Sequence, residues 1–370
     1  MRVSLCLPSV TWLPLATALA RASCDVQVLI SEPVTHDQVR VEPIPSLRID
    51  RLLRHDALKL PLNLDRHISR FRPDVIHVMG EPSYLYTFKA SRSADRLDYS
   101  PVFSCRAAQN IKQDWPFPFN AIEQHLYKKV NFICAVSDDA HDVLREKGYK
   151  GPIVKLPNGY DPALFSTKQS KNRTNDPIHF GFVGNFLDRK GLREIMKAFS
   201  SIVTAPWEIT FVGSGPLESE LRRWATTMEG GHRVNIVGRV PHDQLASFYK
   251  AFDVLLLVSK ETNGKDYGPR VTPYRVSWKE QFGRVIVEAM ACGTPTLGST
   301  SGSIPDVIGE SGWVVKEGDV DELAQMLRRI IASPRCILEK SKVAVERAKQ
   351  YTWDFVANTL VYCWRDVKRY

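Results

Sequence analysis

IHFGFVGNFLDRKGLREIMKAFSSIV, residues 178–203, is the stretch that decides the fold of this 370-residue chain. Residues 178–184 form an apolar run that ends in glycine, and residues 192–203 place apolar side chains at helical spacing. These patterns predict a buried strand, a glycine-marked loop and a helix, which together make the repeating unit of a parallel α/β sheet.

The same alternation of short apolar runs and longer amphipathic stretches covers the rest of the chain. Such alternation predicts parallel sheets with helices on both faces, and the length suits two Rossmann-like domains. The predicted strands are residues 3–7, 26–30, 74–79, 102–105, 132–136, 153–156, 178–184, 208–213, 234–238, 253–259 and 294–298.

One polar segment interrupts this alternation. STKQSKNRTNDP, residues 166–177, lacks large apolar side chains and is predicted to be a linker. It separates a first domain, residues 1–165, from a second domain, residues 178–350, and residues 351–370 are expected to form a helix that packs back on the first domain. Ligands of open α/β sheets bind at the carboxyl ends of the strands, so we expect the binding site in an inter-domain cleft.

Two interpretations fit the first twenty residues. A basic residue followed by LCLPSVTWLPLATALARAS resembles a secretory signal, and it also suits a strand, a turn and a helix. Pro8 and Pro14 interrupt the apolar run, which favours the folded interpretation. An odd number of cysteines, seven, without the close spacing of a metal or redox site, indicates a reducing compartment, so we expect a cytoplasmic protein.

The net charge of +9 indicates an anionic partner. Residues 40–72 contain eight basic and four acidic residues, and LRIDRLLRHDALKL, residues 47–60, has spacings compatible with an amphipathic helix. This segment either is ordinary solvated surface or makes a peripheral contact with the inner face of an anionic membrane. No nucleic-acid-binding motif accompanies the charge, so nucleic acid is set aside as a partner.

Three glycine-marked turns follow strands in the second half, at residues 180–191, 211–216 and 278–308. Glycine commonly ends a strand for structural reasons, so neither of the first two is specific alone. The third leads into a short helix near Arg284, whose free N–H groups and dipole form an anion site.

Glu280 and Glu288 flank the start of this predicted helix. Eight residues of helix span about 12 Å, whereas the two carboxyls of a glycosidase lie about 5–9.5 Å apart. The spacing better suits two groups that grip different parts of one long ligand. The alternative is a surface glutamate together with a first-turn glutamate stabilised by the helix dipole.

The combination of motifs resembles glycosyltransferase family 4. EQFGRVIVEAMACGTP is similar to the family's donor signature, in which two glutamates are separated by seven residues. VGNFLDRKG resembles its glycine–lysine loop, and VGSGP, VGRVPHDQL, PNGYDPALF and DVIHVMGEPSYLYTFKA are similar to its other segments in the expected order. The resemblance covers nearly the whole chain and implies the GT-B fold of two Rossmann-like domains.

The resemblance also implies a retaining hexosyltransferase that uses a nucleotide-diphosphate sugar, without metal or other cofactor. It implies a glycan or lipid-linked acceptor. Its catalytic residues would be Lys190, Glu280 and Arg284. Its donor-binding residues would be Gly184, Asn185, Arg189, Gly213, Val240, Phe282, Gly283, Val285 and Glu288, and the acceptor side would use His77, Glu81 or Asn110.

Several positions depart from the family pattern. The loop glycine is followed by Asn185 where the family often has arginine, and Arg189 or Arg284 would supply that charge. The histidine that many members carry after the strand of VFSCRAAQN is absent. Asp319-Val320-Asp321 is formally a metal-binding acid pair, but its position at a predicted helix start favours a capping role.

Two other functions remain compatible with these residues. One is a sugar-nucleotide epimerase or hydrolase of the same architecture, because fold alone does not determine the reaction. The other is a sugar-nucleotide-binding protein without catalysis.

Overall fold

In the computed structural model the described residues are 1–48, 59–167, 177–228, 233–263 and 277–367. They form two compact units, each described here by itself. The described residues of the first unit fall in Met1–Gly159 and Trp353–Tyr370, and those of the second fall in Tyr160–Asp266 and Ser277–Thr352.

The first unit is built on a parallel sheet with the strand order β3-β2-β1-β6-β7-β8-β9 among its described residues. The strands are β1 (Arg2–Leu7), β2 (Asp25–Ile30), β3 (Arg40–Pro43), β4 (Ser46–Arg48), β5 (Lys59–Pro61), β6 (Val75–Val78), β7 (Val102–Ala107), β8 (Phe132–Ala135) and β9 (Ile153–Lys155). The helices of this part are α1 (Leu13–Arg21), α2 (Leu64–Phe71), α3 (Leu85–Ala94), α4 (Phe119–Tyr127) and α5 (Asp138–Glu146). Because β1 pairs with β2 on one side and with β6 on the other, the strand order reverses there, which leaves space at the carboxyl ends.

The second unit has a parallel sheet with the order β12-β11-β10-β13-β16-β17 among its described residues. The strands are β10 (Ile178–Val183), β11 (Trp207–Val212), β12 (Val234–Gly238), β13 (Val254–Leu257), β14 (Thr262–Asn263), β15 (Ser277–Trp278), β16 (Thr296–Ser299) and β17 (Trp313–Val315). The helices are α6 (Leu192–Ser200), α7 (Glu218–Thr227), α8 (Leu245–Ala251), α9 (Arg284–Ala291), α10 (Ile304–Ile308), α11 (Val320–Ala332) and α12 (Arg335–Ala348). β14 and β15 form a separate antiparallel pair.

The last helix, α13 (Trp353–Val367), belongs to the first unit. Its buried residues, including Leu360 and Trp364, share one core with Leu15 and Leu19 of α1. The Trp364 indole donates a hydrogen bond of 3.0 Å to Ser104 Oγ on β7, which satisfies the polar end of this buried ring. Among the described helices none is long and apolar enough to cross a membrane.

The predicted fold class, two α/β domains with parallel sheets, is confirmed, whereas the cleft between them stays a prediction. Residues 2–30 form a strand, a helix and a second strand of the first core, as the folded interpretation expected. Asp319 caps α11 by accepting a 2.9 Å bond from Glu322 N–H, which confirms the capping role.

The prediction of an amphipathic helix over residues 47–60 is wrong at both ends of this segment. Leu47 pairs with Leu60 and Arg48 with Lys59 in the antiparallel ladder of β4 and β5, and residues 49–58 lie outside the described part of the chain. The polar linker, residues 166–177, likewise falls almost wholly outside the described residues.

Candidate functional site

Two glycine-marked turns of the second unit touch through their backbones. A Cβ on Gly213 would lie 1.9 Å from the carbonyl oxygen of Gly184, and a Cβ on Gly215 would lie 2.6 Å from that of Phe186. Phe186 N–H also donates a 2.9 Å bond to Ser214 O. Only glycine allows this approach, so the turns after β10 and β11 form one surface at the carboxyl edge of the sheet.

The turn after β10 is joined in the same way to the end of β13. A Cβ on Gly191 would meet the carbonyl oxygen of Val258 at 2.1 Å, and Gly191 has a φ of 75°. Lys260 N–H donates a 2.9 Å bond to Arg189 O. These contacts place Lys190 beside the chain that leaves β13.

Glu280 meets Lys190 at this edge. The Lys190 Nζ lies 2.5 Å from Glu280 Oε2, and Ser259 Oγ donates a 3.0 Å bond to the same oxygen. The side chains of Lys190 and Glu280 are 18% and 10% exposed, so solvent screens the pair weakly. A Cβ on Gly302 would lie 2.0 Å from Glu280 O, so a further turn fixes the backbone of this glutamate.

Helix α9 starts four residues after Glu280. Gly283 precedes it with a φ of 77°, and no side chain caps its first N–H groups in the described structure. Arg284 occupies its first position, is half-buried and makes no ion pair with any described residue. The free N–H groups, the helix dipole and the guanidinium favour an anion at this end.

Glu288 lies one turn further along α9 and is 4% exposed. Tyr249 OH donates a 2.8 Å bond to its Oε2, and His242 Nε2 lies 2.9 Å from its Oε1. His242 also packs edge-on against Phe165, with ring centroids 5.2 Å apart. Burial, followed by the nearby Glu288 charge, raises the pKa of Tyr249 well above its ordinary value, so Tyr249 stays a hydrogen-bond donor.

The other predicted donor residues are distributed around this edge. Phe282 is buried, and its ring packs edge-on against Tyr351 inside the second unit. Asn185 is exposed, and Arg189, Val240 and Val285 are half-buried. The structure therefore brings the predicted lysine, both glutamates and the predicted arginine into one region of the second unit.

Four residues that sequence reasoning missed complete the surroundings of the two glutamates: Ser259, Trp278, His242 and Tyr249. His242 lies within a quoted motif, and Tyr249 follows it by two helical turns, so helical spacing carried a signal for that pair. Ser259 and Trp278 come from other strand ends and carried no such signal.

The predicted acceptor residues belong to the first unit and differ in exposure. His77 is fully buried on β6, with Nδ1 2.8 Å from Ser104 Oγ, and burial lowers its pKa to about 3. An imidazole enclosed in this way cannot contact a ligand directly, so the surroundings of His77 do not support the expected acceptor role. Glu81 is half-buried, and its Oε1 accepts a 2.7 Å bond from Ala108 N–H; burial raises its pKa. Asn110 is 6% exposed.

A charged pair near Glu81 was also missed. Lys147 Nζ lies 2.8 Å from Glu123 Oε1 and donates a 3.0 Å bond to Gln109 Oε1. Both charged side chains are 6% exposed. A paired charge is the form in which burial is tolerated, so this pair braces the loop that contains Gln109.

In the described parts of the chain, no three His, Cys, Asp or Glu side chains cluster as metal ligands would.

Two family models match the chain. Residues 165–351 match the model described as "Glycosyl transferases group 1", and residues 9–164 match the model described as "Glycosyltransferase Family 4". Together the matches cover residues 9–351.

Curated relatives are similar at low identity. A GDP-mannose-dependent monoacylated alpha-(1-6)-phosphatidylinositol monomannoside mannosyltransferase of Corynebacterium glutamicum is 28% identical over 55% of this chain and 54% of its own. A sulfoquinovosyl transferase of Arabidopsis thaliana is 25% identical over 80% of this chain and 57% of its own. The chain thus spans about half the length of these relatives.

Solved structures share the fold. A sucrose-phosphate synthase from Thermosynechococcus elongatus superposes with a TM-score of 0.74, at 19% identity over 100% of this chain and 99% of that one. An Anabaena protein in complex with UDP-glucose gives a TM-score of 0.71, at 16% identity over 99% and 100% of the two chains.

Replacing Tyr249 with phenylalanine tests the buried end of the site. The change removes a donor to the buried Glu288 carboxylate, which should lower the free energy of unfolding of the second unit by about 1–3 kcal/mol. The measurement is urea denaturation followed by circular dichroism. Tyr362→Phe is the control, because Tyr362 is 72% exposed and should change stability by less than about 0.5 kcal/mol. Equal stability of wild type and Tyr249→Phe would contradict the assigned bond.

Proposed function

The chain belongs to the glycosyl transferases group 1 family. From this premise we propose that it transfers the sugar of a nucleoside-diphosphate sugar to a glycan or glycolipid acceptor. The proposed reaction retains the anomeric configuration. The single observation that carries the proposal is the meeting of Lys190, Glu280 and the start of α9 at one sheet edge.

The chemistry at this edge suits a departing diphosphate. As the bond between the anomeric carbon and the phosphate oxygen breaks, negative charge develops on that oxygen. The Lys190 ammonium, the Arg284 guanidinium and the free N–H groups of α9 would stabilise that charge without reorganising. The acceptor oxygen would attack from the face that the phosphate leaves, and the phosphate oxygen would take the acceptor proton.

The ion pair between Lys190 and Glu280 has a role in this scheme. Lys190 and Glu280 neutralise each other at rest, which limits the cost of keeping two charges out of water. A diphosphate would take over the ammonium, and Glu280 would then accept hydrogen bonds from hydroxyls of the donor sugar. Glu288, held by Tyr249 and His242, would bind the ribose.

The first unit would bind the acceptor. Glu81 supports this assignment best, because one of its oxygens is held by Ala108 N–H and the residue follows the carboxyl end of β6. Asn110 remains a second candidate on the following loop.

Replacing Lys190 or Glu280 with alanine tests the proposed function. We first identify the donor from thermal stabilisation by UDP-, GDP- and ADP-sugars; a ligand at a hundred times its Kd adds about 2.7 kcal/mol. Each variant should then lose roughly 1.5–3 kcal/mol of transition-state stabilisation, or about one to two decades in turnover.

Lys197→Ala is the matched control, since Lys197 is exposed on the neighbouring helix α6. Wild-type turnover in both site variants would contradict the proposal. Turnover of the donor with no acceptor present would instead indicate a hydrolase or epimerase, and binding without turnover would indicate a binding protein.

Independence from divalent metal is the second part of the proposal. Lys190 and Arg284 would supply the positive charge that magnesium otherwise brings to a diphosphate, so chelation should leave transfer unchanged. The measurement is the transfer rate after metal removal and in excess EDTA. Complete loss of transfer, restored by magnesium or manganese, would show that a metal carries the charge.

We also propose that the protein is cytoplasmic and attaches to the inner face of the membrane. All seven cysteines are free thiols, as in a reducing compartment. On α2 the apolar Leu64, Ile68 and Phe71 are buried in the first unit, while Arg66 and Arg70 are exposed. The contact would therefore be electrostatic, through the basic face of this helix.

Vesicle co-sedimentation tests the attachment. Binding should require anionic lipid and fall with added salt, because each basic residue near the surface contributes about 1 kcal/mol that salt screens. Arg66→Ser/Arg70→Ser should weaken binding, whereas Arg222→Ser/Arg223→Ser, which removes equal charge from the second unit, should not. Equal binding to neutral and anionic vesicles would refute the electrostatic attachment.

A further inference from the structure

The indole ring of Trp278 contacts two cationic side chains of the turn after β10, Arg189 and Lys190. The guanidinium carbon of Arg189 lies 4.6 Å from the centroid of the indole ring, and Lys190 Nζ lies 4.8 Å from it. Both distances fall within the range in which an aromatic face attracts a cation. The contact joins the cationic turn to a residue two places before Glu280.

A short antiparallel stem, formed by β14 and β15, fixes the position of this indole. Trp278 pairs with Thr262, and Ser277 pairs with Asn263, in the ladder of β14 and β15. Ser259 and Glu280 flank the same stem and are hydrogen-bonded at 3.0 Å. Because one stem holds both the indole and the carboxylate, Lys190 has two anchors that belong to a single element.

The two anchors of Lys190, the Glu280 carboxylate and the Trp278 indole, respond differently when a donor binds. In the proposed function Glu280 turns to the sugar, and its hold on Lys190 weakens as the diphosphate arrives. The indole has no competing ligand role, so it can keep the long lysine side chain ordered throughout. It also offsets the repulsion between the adjacent charges of Arg189 and Lys190.

We propose that Trp278 is a positioning residue, whose indole holds Lys190 against the diphosphate of the donor. The inference rests on the proposed function, because it assigns the diphosphate to Lys190. A positioning role acts only through the lysine, so it affects ligands that reach the lysine and spares ligands that do not.

The experiment compares the Kd of a nucleoside diphosphate with that of the matching monophosphate, measured by calorimetry on the full chain. The pair is whichever of UDP/UMP, GDP/GMP or ADP/AMP binds the wild type. Trp278→Leu should raise the diphosphate Kd about tenfold and leave the monophosphate Kd within about twofold. Trp278→Phe retains an aromatic face and should raise the diphosphate Kd by about threefold or less.

Two further variants separate positioning from general support of the fold. In a Lys190→Ala background, the effect of Trp278→Leu on the diphosphate Kd should shrink to about threefold or less, because only the Arg189 contact remains. Trp224→Leu, on α7 of the same unit, should change neither Kd.

Distinct outcomes overturn the inference. Unchanged diphosphate binding by Trp278→Leu would refute it while leaving the proposed function intact, and equal weakening of both nucleotides would assign Trp278 a structural role. A wild type that binds none of the three diphosphates would refute the proposed function itself, and the inference with it.

Discussion

The candidate site depends on the contact between backbones at the carboxyl edge of the second sheet. Parallel strands end at one edge, but side chains would normally keep the turns that follow them apart. At Gly213 and Gly191 even a methyl group would overlap a neighbouring carbonyl, at 1.9 Å and 2.1 Å. The absence of side chains there lets three turns merge into one surface, and Lys190 is placed by that surface.

On this surface the two glutamates are held by different means. Glu280 is neutralised by a cation, Lys190, and so its partner can be exchanged for a phosphate. Glu288 is held by a phenol whose pKa burial raises, together with an imidazole. Glu288 is also the more buried of the two residues, at 4% exposed against 7% for Glu280. A carboxylate held within the unit at one end and an ion pair that a phosphate can exchange at the other suit a ligand with a nucleoside and a charged, reactive end.

Much of the fold was predictable from the sequence. The buried strands are apolar runs bounded by glycine, proline or polar residues, and each of those predicted was found. The strands missed were short or half-exposed, such as β3, β14 and β17, and runs of two to four residues are too short to show periodicity. The error over residues 47–60 has the same origin, because alternating leucine and arginine fits a helix and a ladder alike.

The site was predictable in part. Lys190, Glu280 and Glu288 lie in motifs, whereas their partners come from other elements: Ser259 follows β13, Tyr249 lies on α8 and Trp278 ends β15. Only the folded chain shows which of these side chains meet. His77 shows the converse: a histidine within a recognisable segment proved to be an enclosed core residue.

The stem formed by β14 and β15 has a consequence for how such a chain can change. Its ladder joins Thr262 to Trp278, and the glutamate that follows lies two residues further along the chain. The ladder therefore places both groups, and a substitution that breaks it displaces the indole and the carboxylate together. The two groups can thus be altered only as a unit, which restricts how the sequence of the stem can vary.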